Sequence, residues 1–102
     1  MHAIVADKHQ ALADICRRAG VKRLEVFGSA ARDDFDPSRS DIDFVVELAT
    51  DPQRNPLNDY VELKDALEAL FARPVDLVSA GSVRNPFVLA SINRDRQLVF
   101  SE

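Results

Sequence analysis

Apolar and polar positions along this chain alternate between a helical and a strand period, and the changes of period predict its elements. Over residues 4–19, Ile4, Ala11, Leu12, Ile15, Cys16 and Ala19 fall on one helical face. Arg17 and Arg18 suit the negative end of that helix, and Gly20 can stop it. Val21 to Phe27 reads as a strand, with Leu24, Val26 and Phe27 as its apolar members. Gly28-Ser29 turns the chain, and Ala30 to Arg32 predict a short helical turn with Ser29 near its N-cap. Asp33 to Ser40 is a polar loop with one proline, long for a hairpin, a length that goes with functional use or mobility. Asp41 to about Leu48 is the next strand.

Asn55-Pro56 has the form of an N-cap followed by proline at the first helical position. The helix it opens, Leu57 to Ala72, buries Tyr60, Leu63, Leu67, Leu70 and Phe71 and turns Glu62, Lys64, Asp65 and Glu68 to water. Val75 to Ser79 is a third strand, with Val75 and Leu77 on one face and Asp76 on the other. Asn85-Pro86 repeats the cap signal and opens a helix to about Arg94, carrying Phe87, Leu89 and Ile92. Gln97 to Phe100 closes as a strand. The order α-β-α-β-α-β-α-β predicts an α/β (α+β) fold, one domain over residues 1–102 with helices packed on a small mixed sheet.

The chemistry sits where two of these strands meet. Asp41 and Asp43 are two residues apart at the head of the second strand, so they share one face while Ile42, Phe44 and Val46 take the other. Two adjacent carboxylates repel unless a cation lies between them, and magnesium favours a few carboxylates plus phosphate oxygens. The Gly28-Ser29 turn offers backbone N–H groups and a hydroxyl, the groups that hold phosphate. Asp76 interrupts an otherwise apolar strand. Each feature alone has a plainer reading. Gly-Ser occurs in many turns, Ser29 is a possible cap, and Asp-x-Asp also marks solvated edge strands.

Together, Phe27-Gly28-Ser29-Ala30-Ala31-Arg32, the loop, Asp41-x-Asp43 and Pro74-Val75-Asp76-Leu77-Val78 resemble the DNA polymerase beta-like nucleotidyltransferases. More narrowly they resemble the minimal nucleotidyltransferases (MNT) that accompany HEPN toxins, and the likeness extends through the helix and strand after Asn85-Pro86. The chain departs from the family pattern in two places: the loop between Ser29 and Asp41 is one residue longer than usual, and Asp33 stands where glycine is common. The resemblance implies a polymerase beta palm-like fold. It also implies Asp41, Asp43 and Asp76 as catalytic residues and ligands of two Mg²⁺ ions, with Gly28 and Ser29 binding the nucleotide, ATP.

Composition narrows the partners. Seventeen Asp and Glu against 13 Lys and Arg give a formal net charge of −4 in 102 residues, which argues against the basic stripe of a nucleic-acid binder. No apolar run is long enough to cross a membrane, and the start of the chain lacks signal-peptide features, so the expected location is cytoplasmic. The single cysteine, Cys16, excludes an internal disulfide and reads as a buried thiol. His2 and His9 have no second ligand at metal spacing. Arg32 reads as a partner of a carboxylate or a phosphate, Arg39 as a counter-charge to the acids, and Asp33, Asp34 and Asp36 as solvated.

The functional expectation taken from the resemblance is an antitoxin that transfers AMP from ATP to a tyrosine of a partner HEPN toxin. Two other readings stay open at this point. One is a binding module that silences its partner by contact alone. The other is a nucleotidyltransferase for a small molecule that needs a partner subunit to complete its acceptor pocket.

Overall fold

The structure, a computed structural model, describes every residue from 1 to 102. The helical period over residues 4–19 resolves into two helices, α1 (Ala3–Ala6) and α2 (His9–Arg18). His2 caps α1 by accepting from the Ile4 amide on Nδ1 at 3.0 Å. The Asp7 amide closes α1 on the Ala3 carbonyl at 2.8 Å. The pattern hides this break because Val5 and Leu12, two helical turns apart, both still point inward and are fully buried.

The remaining elements are β1 (Val21–Phe27), α3 (Ser29–Arg32), β2 (Ile42–Leu48), α4 (Pro56–Phe71), β3 (Val75–Ser79), α5 (Pro86–Asp95) and β4 (Gln97–Ser101). They form a four-stranded mixed sheet in the order β3-β2-β1-β4. β1 runs antiparallel to both neighbours, whereas β2 and β3 are parallel. A parallel pair needs a crossover, and α4 supplies it. The two Asn-Pro signals hold: Asn55 accepts from the amides of Leu57 and Asn58, and Asn85 from those of Phe87 and Val88.

The main core lies on one face of the sheet. Leu12 and Cys16 of α2 and Leu63, Leu67 and Phe71 of α4 pack on Leu24, Val26, Ile42, Phe44 and Leu77. Burial pushes the Cys16 thiol up to about 12, which removes it as a nucleophile at neutral pH. The opposite face is covered more thinly, by α5, whose Ile92 packs on Phe27 and Val45. Here the expected stripe of α5 needs correction. Only Ile92 and Asp95 are buried, while Phe87 is 85% and Leu89 44% exposed. α5 meets the sheet through Val88 and Ile92, one helical turn apart, so Phe87 and Leu89 on either side of Val88 meet solvent. No helix is long and apolar enough to cross a membrane.

The loop between α3 and β2 is anchored. Phe35 is buried, its ring centroid 5.3 Å from that of His2 and 4.9 Å from the Arg73 guanidinium. Arg73 Nη1 donates to the carbonyls of Pro37 and Ser40 at 3.0 and 3.4 Å. Asp33, which follows α3, has φ 71° and ψ 7°. A residue in this left-handed region explains why glycine suits the position, and Asp is among the few other residues that visit it. Asp33→Gly should therefore stabilise the fold by about 0.5–1 kcal/mol, read as an increased midpoint in urea denaturation with an unchanged slope.

Candidate active site

Three strand ends meet on one face of the sheet. β1 ends at Phe27, which pairs with Asp43 in the antiparallel ladder. Asp43 pairs in turn with Asp76 in the parallel ladder. Side chains at registered positions point to the same face, and neighbouring strands lie about 4.8 Å apart. Asp76 thus stands beside Asp43, on the face that also carries Val45 and Val78. Asp41, one residue before β2, is exposed.

Gly28 brings the turn against this pair. Its φ of 71° and ψ of −152° are open to glycine almost alone. A Cβ built on Gly28 would overlap Asp43 Oδ2. Ser29 is not the cap expected of it. Gly28 occupies the cap position, no side chain caps α3, and Ser29 is its first residue. The leading amides of a helix have no partners in its own ladder, so those of Ser29 and Ala30 are left beside the acids.

The electrostatics are those of an uncompensated acidic site. Burial, then repulsion from Asp76 and Asp41, pushes the Asp43 carboxyl up to about 6, and only Arg32 pulls it the other way. The fold treats its other buried acids differently. Glu25 is paired with Arg96, Asp59 with Arg54 and Asp95 with Arg32 and Arg94. Hydrogen bonds from Arg96 hold the Glu25 carboxyl below its ordinary range, and those from Arg94 and Arg32 do so for Asp95, against the effect of burial. No buried side-chain oxygen lacks a partner, so the unpaired oxygens of Asp43 reach solvent.

This all-oxygen, negatively charged donor set fits a hard divalent cation. The fit lies in donor type and register, not in a finished cage. No three His, Cys, Asp or Glu side chains converge closely enough to hold a metal by themselves. Magnesium binds through one or two carboxylates plus phosphate and water, so an open half-site is compatible with it. The acids line none of the main surface clefts, such as one of about 400 Å³ lined by Val78, Val83 and Val88. The site is marked by its uncompensated charge rather than by depth.

Other candidates fall into plain roles. Arg39 pairs with Asp36 at 3.1 Å rather than with the acids. Arg84 donates to the Gly81 carbonyl of its own loop. His2 is a cap, and His9 is exposed at the start of α2. The residue that sequence reasoning missed is Asp95, which accepts from Arg32 Nη1 at 2.6 Å. One faint signal existed: an acid in the last turn of a helix sits at the wrong end of the dipole.

A model of the nucleotidyltransferase domain matches residues 9–99. The chain belongs to the nucleotidyltransferase domain family. A Methanocaldococcus jannaschii protein named "Putative protein adenylyltransferase" is 40% identical over 78 residues, which cover 74% of this chain and 72% of that one. A solved structure named "putative minimal nucleotidyltransferase" superposes with a TM-score of 0.72 at 32% identity, covering 95% of each chain. The nucleotidyltransferase also shares its fold with a chain of the tri-AMPylated Shewanella oneidensis HEPN toxin–MNT antitoxin complex. That match has a TM-score of 0.62 at 19% identity and covers 95% of this chain and 72% of the other.

Proposed function

We propose that this nucleotidyltransferase transfers AMP from ATP to a tyrosine hydroxyl of a partner HEPN toxin and serves as the antitoxin of the pair. The observation that carries this reading is the registered Asp43–Asp76 pair beside the Gly28 turn. Relatives named for protein adenylylation, and an AMPylated toxin in a complex of the same fold, supply the acceptor class. The exposed setting of the acids favours a macromolecular acceptor over a small one. A small acceptor needs a pocket to orient it, whereas a protein brings its own walls.

In this reading Gly28 and Ser29 hold the β- and γ-phosphates of ATP. Asp41 and Asp43 would hold two magnesium ions, and Asp76 would share in holding one of them. When bound, the ions supply positive charge to the attacking and leaving oxygens. Asp76 lies across β2 from the phosphate turn, and in this reading the acceptor hydroxyl enters beside it. The hydroxyl oxygen bonds to the α-phosphorus, its proton passes to Asp76, and the α–β bridging bond breaks to release pyrophosphate. The chain's contribution is positioning and fixed charge rather than covalent chemistry.

Incubating the purified protein with its HEPN partner, ATP and Mg²⁺ should add mass to the partner in whole units of AMP, and EDTA should abolish the gain. An unmodified partner after exhaustive incubation would overturn the reading. A second reading, silencing by contact alone, draws on the loop between Ser29 and Asp41, one residue longer than the family's, and on Asp33 in place of glycine. It expects Asp43→Asn to neutralise the toxin in cells as well as the wild type does.

A further inference from the structure

Arg73 lies in the short link between α4 and β3, three residues before Asp76. That link is stiff. Ala72 ends α4 in the left-handed region, the ring of Pro74 fixes its φ, and the Val75 amide donates to Glu68 Oε2 at 3.0 Å. The Arg73 side chain reaches from this link to the loop before β2. Its Nη1 donates to the carbonyls of Pro37 and Ser40 at 3.0 and 3.4 Å, and its Nε to that of Phe71 at 3.4 Å. Residues 36–40 form one closed turn. The amides of Arg39 and Ser40 donate to the Asp36 carbonyl at 3.0 and 2.8 Å, and Ser40 Oγ accepts from the Asp36 amide at 3.1 Å. Arg73 grips this turn near both ends, and the next residue is Asp41. Every donor that Arg73 uses goes to a main-chain carbonyl, and the cation that pulls on the Asp43 carboxyl is Arg32. Arg73 therefore bears on the acids by placing backbone rather than by its field.

We propose that Arg73 is a positioning residue for the acids: it staples the main chain just before Asp41 to the segment that leads into Asp76, and so holds the Asp41 carboxylate in place beside Asp43 and Asp76. The proposal rests on the reading of these three acids as ligands of the metal–nucleotide complex. The parallel ladder between β2 and β3 begins at Ile42 and Val75 and registers Asp43 with Asp76. Asp41 precedes that ladder and is exposed. The sheet thus fixes two of the acids, and the staple supplies what the sheet does not for the third. The loop that delivers Asp41 is also one residue longer than the family's, and its last residues are the ones the guanidinium holds. A guanidinium suits this task because its donors point in fixed directions, whereas an ammonium is a point charge on a flexible stem. Arg73 itself touches no substrate.

The test is the dissociation constant of the magnesium complex of a non-hydrolysable ATP analogue, by calorimetry, with kcat for partner adenylylation measured beside it. Arg73→Gln should weaken binding by about tenfold and lower kcat by about as much. Arg73→Lys, which keeps the charge and the reach, should recover part of the loss, to about threefold below wild type. The deciding variant is the double one. With Asp41→Asn in place, Arg73→Gln should cost nothing further in affinity or in kcat, because its effect runs through that carboxylate. Arg39→Gln removes an exposed arginine of the same turn that pairs with Asp36, and should leave both readings unchanged. Unchanged affinity and kcat in Arg73→Gln would overturn the proposal. So would the same loss with and without Asp41, or an equal loss in Arg39→Gln, because either would assign the effect to a general loosening of the loop. If Arg73→Gln fails to fold, Arg73→Lys is carried through the same cycle and decides. Wild-type protein that binds no analogue with magnesium would instead sink the underlying metal–nucleotide reading, and this proposal with it.

Discussion

Replacing Asp43 by asparagine is expected to lower nucleotidyl transfer by about 10³-fold or more and, in the same protein, to make the metal-free fold more stable. The first effect follows if Asp43 holds both ions at the α-phosphate, since asparagine has the shape but not the charge. The second follows from the carboxyl itself. Its folded-state value of about 6 lies above the ordinary 3.8, chiefly through burial and through repulsion from Asp76 and Asp41. Ionising Asp43 therefore costs more in the folded chain than in the unfolded one. Stability is full below about pH 4, falls as pH rises from about 4 to 6, and stays at the lower level above that. The gap of about two units corresponds to about 3 kcal/mol at most. With the oxygens reaching solvent, about 1–2 kcal/mol is the working figure. Thermal unfolding in EDTA should then give Asp43→Asn a Tm higher by about 4–8 °C per kcal/mol near pH 7.5. The advantage should vanish near pH 4. Magnesium with a non-hydrolysable ATP analogue should reverse the order, because ligand binding stabilises only the protein that binds. A variant less stable than wild type in EDTA at pH 7.5 would show that no charge strain is stored at this site.

That strain was partly legible in the sequence. The alternation Asp41-Ile42-Asp43-Phe44 sorts acids from core residues, because strand faces are a local property. Asn55-Pro56 and Asn85-Pro86 marked two helix starts for the same reason: a cap is satisfied within three residues. What depends on register or distance was not legible. No local pattern brings Asp43 beside Asp76: the family resemblance implied that they share a site, and the crossover that sets β3 parallel to β2 makes them neighbours. Phe35 lies in a stretch that reads as a polar loop, and contacts from far along the chain, those of His2 and Arg73 among them, make it part of the core. Phe87 and Leu89 read as buried residues of α5, yet the helix meets the sheet along Val88 and Ile92 instead. The Arg32–Asp95 pair joins residues 63 apart, beyond the reach of any local pattern.

Gly28 carries the second large effect, and here a geometric collision can be separated from backbone strain. Gly28→Ala would place a methyl group against Asp43 Oδ2 in a conformation of φ +71° that L-residues rarely adopt. The strain costs about 1–3 kcal/mol and should appear as a lowered Tm. The collision adds something strain alone does not. The carboxylate must swing away from the phosphate turn, and a shift of about 1 Å at a reacting centre can cost about 10²-fold in rate. Transfer to the partner should therefore fall by about 10²-fold or more in kcat/KM, measured well below the Tm of the variant. Gly81 is the matched control. Its φ is +82°, but nothing lies within 4 Å of an added Cβ. Gly81→Ala should lose stability like Gly28→Ala while keeping wild-type transfer. If both variants lost stability equally and both kept their activity, the close approach of Gly28 to Asp43 would have no part in the chemistry. If both lost activity alike, the loss would belong to backbone strain rather than to the carboxylate that Gly28 makes room for.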